Sequence, residues 1–153
     1  PILGFNYGAE KYSRVRQTYR YSVTLCTVIA TIFFICFQFF PHQIVGIFGN
    51  GSDLYFHFAE KYLRIFMLMT FANGIQPMSA CFFTSIGKAR LGVIMSLTRQ
   101  VLFLLPLIVI FPVFFGIDGV MYAGPIADTS AFVLAVVFAR RELGVMKAAE
   151  QNA

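Results

Sequence analysis

Charge is scarce in this 153-residue chain: Asp, Glu, Lys and Arg together make up 12% of it. A water-soluble domain usually carries about 25% charged residues, so the chain has too few polar side chains to cover a core of its own size in water. Cysteine chemistry is missing too. Cys26, Cys36 and Cys81 form no CxxC pair, have no histidine pair beside them and lie in apolar runs, where they read as small hydrophobic residues. There is no GxSxG, P-loop, HExxH or glycine-rich nucleotide fingerprint, so no enzyme class and no cofactor is indicated. His42 and His57 are far apart and lack carboxylate or cysteine companions at ligand spacing, so they read as surface side chains rather than metal ligands. No secretory leader, internal repeat or low-complexity segment is visible.

What the chain does have is oil. Apolar residues make up 58%, nineteen residues are phenylalanine, and the mean hydropathy is +0.73. That surface suits lipid, which makes the bilayer the first expected partner. A net charge of +5 does not indicate nucleic acid, because the basic residues sit in short clusters between long apolar runs. The expected fold class is all-α integral membrane, with four antiparallel transmembrane helices.

A spanning helix needs about 20 mostly apolar residues to cross a hydrocarbon core of about 30 Å. The first candidate span covers 21–40, carries no charge and ends at Pro41. The second covers 54–87, uncharged from Ile65 to Gly87, with its beginning forming an outer extension in which Glu60 and Arg64 stand four apart as a helical ion pair would. The third covers 90–115 with Arg99 inside it, and the fourth covers 119–139 with Asp128 inside it. Residues 1–8 read as the end of a preceding transmembrane helix, so the expectation is a segment of a longer protein whose N-terminal part is absent. Residues 9–20 read as a basic surface linker helix, with Tyr12, Val15 and Tyr19 on one face. The stretch 41–53 reads as an extracytoplasmic loop rich in glycine (Gly46, Gly49, Gly51) around Asn50, with Ser52 or Asp53 able to cap the next helix. Residues 140–153 read as a short, polar, frayed cytoplasmic tail.

Loop charge sets the expected orientation. Lys11, Arg14, Arg16 and Arg20 precede the first span, Lys88 and Arg90 separate the second from the third, and Arg140, Arg141 and Lys147 follow the fourth. The other two connections, Pro41 to Asp53 and Gly116 to Gly119, hold no lysine or arginine. Basic residues concentrate in cytoplasmic loops, so the first span runs outward and the chain ends inside.

Polar groups within the spans are the candidate functional residues, since they are costly in lipid and tend to face a bundle interior or a wet path. Arg99 lies about 12 Å from the inner end of its span and Asp128 about 13 Å from the outer end of its own, by the 1.5 Å rise of a helix. Antiparallel neighbours would hold them at similar depth, either as an ion pair or each satisfied separately, and both options stand. Asn73, Gln76 and Pro77 interrupt the second span, with Pro77 and Pro106 as candidate kinks. Asn73, Gln76, Met69, Arg99 and Gln100 are candidate cavity residues, with Met67, Met69 and Met78 an adaptable apolar wall; the alternative is that Asn73 and Gln76 glue helices together.

Pro1 to Ala9 followed by basic residues resembles the end of the eighth helix of the multidrug and toxic compound extrusion (MATE) transporters. Gly87 to Arg90, Ser96 to Gln100 and Pro106 are similar to the start of their eleventh helix. Phe115 to Val120 and Ala123 to Asp128 are similar to the approach to their twelfth. The resemblance implies a twelve-helix, two-lobe transporter of the plasma (inner) membrane that exchanges small organic cations for H+ or Na+. This chain would supply the tip of helix eight and helices nine to twelve, and its partner would be the missing N-terminal lobe. Some branches of the family carry acids in helix ten, whereas the corresponding span here has Asn73 and Gln76 instead. The coupling ion is therefore expected to bind mainly in the missing N-terminal lobe. A lipid-linked oligosaccharide flippase of the same superfamily and a small membrane scaffold subunit are the alternatives.

Overall fold

The computed structural model describes residues 1–49 and 51–151; Asn50 in the expected loop and the last two residues of the expected tail lie outside them. Every regular element among the described residues is helical. They are α1 (Ile2–Gly8), α2 (Tyr12–Phe39), α3 (Pro41–Phe48), α4 (Asp53–Phe66), a 3-10 turn (Thr70–Gly74), α5 (Ile75–Ser85), α6 (Ala89–Leu97), a π-type segment (Thr98–Leu104), α7 (Leu105–Phe115) and α8 (Ile117–Gln151). Three of these runs are long and apolar enough to cross a membrane, and α4 with α5 makes a fourth if the bent pair is one span. The chain is an all-α integral membrane protein with four spans.

Three boundaries differ from those expected. From Tyr12 the linker 9–20 runs without a break into the span 21–40 as one helix, α2, because no glycine or proline separates them and Val15 and Tyr19 are buried against the bundle. Most of the stretch 41–53 is helical: Pro41 ends α2 and opens α3, where its fixed φ and missing N–H cost nothing. The tail beyond Arg141 continues α8 to Gln151, tied down by Met146 in the core and by two ion pairs, Lys88–Glu142 at 2.5 Å and Arg16–Glu150. Ser52 is the cap of α4, its hydroxyl accepting the Tyr55 N–H at 3.4 Å.

The second span bends by 49°. Pro77 cannot donate to the carbonyl four residues back, and its ring crowds that carbonyl. The disruption therefore falls upstream, on Thr70–Gly74, while Pro77 itself sits in the first turn of α5, where it is tolerated. Gly74 is required at this break for another reason: a Cβ there would stand 2.8 Å from the backbone of Cys26 and Thr27 in α2. At Pro106 there is no break. The helix widens to π-type turns over Thr98–Leu104 and resumes as α7, so Ala89–Phe115 remains one span.

A hydrophobic core lies at the end that carries the basic clusters, where Val15, Tyr19, Phe82, Phe83, Met95, Ala135, Ala139 and Met146 meet. Tyr19 shares a buried 2.7 Å hydrogen bond with Ser79 and packs against Phe82, the two rings tilted by 48° with centroids 4.7 Å apart. In α8 the buried face is a ladder of alanines at 123, 127, 131, 135 and 139, all nearly inaccessible. Small residues at four-residue spacing let helix backbones approach closely in a bilayer. Leu25, Val28, Ile32, Val109, Val113, Val133 and Val137 face outward instead, as lipid-facing positions should.

Candidate functional site

The site forms where three interrupted or polar stretches come to one depth: the 3-10 break of the second span, the π-type segment of the third, and α8 at Asp128. Arg99 lies ten residues, about 15 Å, from the start of α6, and Asp128 eleven residues, about 16 Å, from the start of the antiparallel α8. Arg99 Nε donates to Asp128 Oδ1 at 2.5 Å, and Asn73 Nδ2 donates to Asp128 Oδ2 at 3.4 Å. Of the two arrangements open from sequence, the structure takes the ion pair, and it adds Asn73 as a third member. The Asp128 side chain is 4% exposed and that of Arg99 28%. Each carboxylate oxygen thus meets a donor from a different span, which is how a charge buried in lipid is kept bearable.

The other candidate residues divide. Gln76 is buried and spends its amide on the Met95 carbonyl at 2.9 Å, joining α5 to α6 beside the widened turn. That is the role of interhelical glue rather than cavity lining. Met69 is half-buried at the head of the 3-10 turn, and Gln100 is exposed. Asn73, Pro77 and Met78 do line a groove, together with Cys26, Ile29, Phe33 and Phe37 of α2, with a volume of about 390 Å³. Its walls are almost wholly apolar. Arg99, Gln100, Gln76 and Met69 stand outside it.

At the end opposite the basic clusters, two expectations are corrected. Glu60 does not pair with Arg64; it meets His42 Nδ1 at 2.7 Å, so His42 has a carboxylate companion eighteen positions away. Lys61 reaches Asp118 at 3.6 Å, joining α4 to the start of α8. Sequence reasoning missed the alanine ladder of α8, although its four-residue spacing is visible in the sequence. It also missed that all four acids of α8 (Asp118, Asp128, Glu142 and Glu150) take cations from four different parts of the chain.

Known proteins with this pattern are consistent in kind. The chain is 25% identical over 151 residues to the multidrug export protein MepA of Staphylococcus saprophyticus, covering 97% of this chain and 33% of that relative. Its fold matches an outward-facing multidrug resistance MATE family transporter of the MOP superfamily with a TM-score of 0.86 at 18% identity, covering 95% of this chain and 33% of that one. It matches an inward-facing one with the same TM-score of 0.86 at 16% identity, covering 96% of this chain and 34% of that one. The chain spans about a third of the length of the relatives it matches. The model of the MatE family matches residues 1–110, and that match, over a four-span bundle of this fold, means that the chain belongs to the MatE family of MATE transporters.

Proposed function

We infer that the chain is the C-terminal lobe segment of a multidrug efflux antiporter, working by alternating access and driven by H+ or Na+. The observation that carries this reading is the break in the second span. Backbone that leaves the α-helix at membrane depth is tolerated only where protein buries it or where it lines a cavity, and discontinuous spans commonly mark transporter sites. Here the break lies between an apolar groove and the Asp128 network. Export needs no covalent chemistry, only ligands that stabilise different states of one bistable bundle. An equal fold match to outward- and inward-facing relatives supports a lobe that keeps its internal arrangement while the transporter switches.

The drug class this suits is small organic cations, which an apolar and aromatic wall such as Phe33, Phe37 and Met78 can hold loosely. We place the coupling-ion site mainly in the N-terminal lobe, because the carboxylate of Asp128 is already held by two donors. The protein belongs in the plasma (inner) membrane with the basic end in the cytoplasm. A lipid-linked oligosaccharide flippase would need uncommitted cations facing its cavity, and Arg99 is committed to Asp128. Cells expressing the full-length protein should accumulate less ethidium than control cells, and collapsing the proton or the sodium gradient should abolish the difference. Equal accumulation under both gradients overturns the reading.

A further inference from the structure

The basic end of α2 carries a second recess, apart from the groove beside the break in the second span. Ser13, Arg16, Gln17, Arg20 and Tyr21 of α2 and Lys147 of α8 surround a polar recess of about 570 Å³. Glu150 takes Arg16, and no ion pair among the described residues involves Arg20 or Lys147. Three cations against one carboxylate leave two positive charges facing the recess. The same stripe of α2, followed at steps of three and four residues, continues into an apolar groove of about 390 Å³ lined by Val23, Thr24, Thr27, Val28, Thr31 and Ile32. Tyr21 stands at the junction, 66% exposed, where an amphipathic ring marks the boundary between headgroups and acyl chains.

A polar basic recess opening along one helix face into an apolar trough has the shape and charge of an anionic phospholipid. We propose that this stripe binds one anionic phospholipid of the adjoining leaflet, its phosphate between Arg20 and Lys147 and an acyl chain along Val23 to Ile32. Basic pockets between spanning helices are suited to such headgroups. The neighbouring recess beside Phe83 and Phe138 is a poorer candidate, because Glu142 takes its Lys88 at 2.5 Å and leaves Arg141 as a single uncommitted cation. The Arg16–Glu150 contact gives the site a structural role as well: it draws the end of α8 against α2 and so forms the wall that carries Lys147.

The test uses the full-length transporter in detergent, titrated with phosphatidylglycerol or with phosphatidylcholine of the same chains, and counts retained lipids by native mass spectrometry. Wild type should retain one phosphatidylglycerol in preference to phosphatidylcholine. Arg20→Gln with Lys147→Gln should weaken that retention about thirty-fold, the loss expected of two cations near a lipid headgroup. Arg20→Lys with Lys147→Arg should restore it, and Arg90→Gln with Arg140→Gln, exposed at the same end but outside the stripe, should leave it at the wild-type level. Equal phosphatidylglycerol retention by wild type and the Arg20→Gln, Lys147→Gln variant overturns the proposal. A bimane on Thr24→Cys, in a background without other cysteines, supplies the second measurement: brominated phosphatidylglycerol should quench it more than brominated phosphatidylcholine. No quenching by either lipid means another helix of the polypeptide covers the stripe, which also overturns the proposal. Neither measurement depends on transport.

Discussion

Asp128 shows how a single side chain can be both a cost and a clamp. Two unit charges about 4 Å apart attract by about 4 kcal/mol at an effective dielectric constant of 20, but removing both from water consumes much of that gain. Breaking such a pair is therefore worse than never having had it, with typical losses of about 3–5 kcal/mol. The two partners are not equivalent, since Asp128 is 4% exposed and Arg99 28%. Arg99→Leu should cost more stability in detergent than Asp128→Leu, because it leaves the deeper charge with Asn73 alone at 3.4 Å. The double substitution should cost less than the sum of the two. Thermal unfolding of the full-length protein checks both orderings, and additive losses would mean that the two residues act separately. Gly74 makes a second case at this scale. Gly74→Val forces a side chain into the Cys26–Thr27 backbone 2.8 Å away, and overpacking of that kind costs about 3 kcal/mol. The expected outcome is a sharp fall in monodisperse protein on size exclusion, with Gly144→Val, where nothing stands within 4 Å, as the tolerated control.

The helices were legible in the sequence to the extent that they depend on local chemistry. Four apolar runs could be read directly, as could the stop at Pro41 and a cap at Ser52 or Asp53, of which the structure takes Ser52, because hydropathy, a missing N–H and a short polar side chain each act within a few residues. Where an element ends because of something distant, the sequence alone was a poor guide. The helix formers after Arg141 allow α8 to run on, but what fixes it as far as Gln151 is distant: Lys88 and Arg16, 54 and 134 positions from their partners Glu142 and Glu150, hold it there. The Arg99–Asp128 meeting could be posed from depth alone, but Asn73 joins it across 55 positions, which no spacing rule reaches. Pro77 was visible while its effect was displaced by a turn, since proline disturbs the carbonyl four residues back rather than its own position. This gives a test at the scale of the element. Pro77→Ala should let α5 extend upstream, slowing hydrogen exchange of the Thr70–Gly74 amides by about tenfold and lowering ethidium export. Unchanged exchange would mean that packing of Gly74 on α2, not the proline, holds the break open.

At the scale of the molecule, α8 is the spine against which the bundle is assembled. Its 35 residues rise about 52 Å against a hydrocarbon core of about 30 Å, so one helix reaches both surfaces and still projects from one of them. Its alanine ladder lets neighbours approach closely, and its acids fix them at separate heights: Asp118 to α4, Asp128 to the π-type segment, Glu142 to the turn before α6, and Glu150 to α2. The same geometry sorts the charges of the chain by surface. Of twelve lysines and arginines, nine lie at the end shared by Lys11, Lys88 and Lys147, two (Lys61 and Arg64) at the opposite end, and Arg99 between. Ion pairing does not weaken this bias, because topology follows the count of lysine and arginine near the spans rather than their net charge. Arg16 and Lys88 therefore still count for the inside although acids hold them, and Lys61 still counts for the outside. The expected topology follows from a nine-to-two ratio that four antiparallel spans satisfy together. With the full-length protein in intact cells, a membrane-impermeant maleimide should label Phe48→Cys, which replaces a side chain 84% exposed at the sparsely charged end. Arg140→Cys should react only after the membrane is permeabilised. Labelling of Arg140→Cys from outside would reverse the orientation, and it would place the recess formed by Arg20 and Lys147 in the outer leaflet.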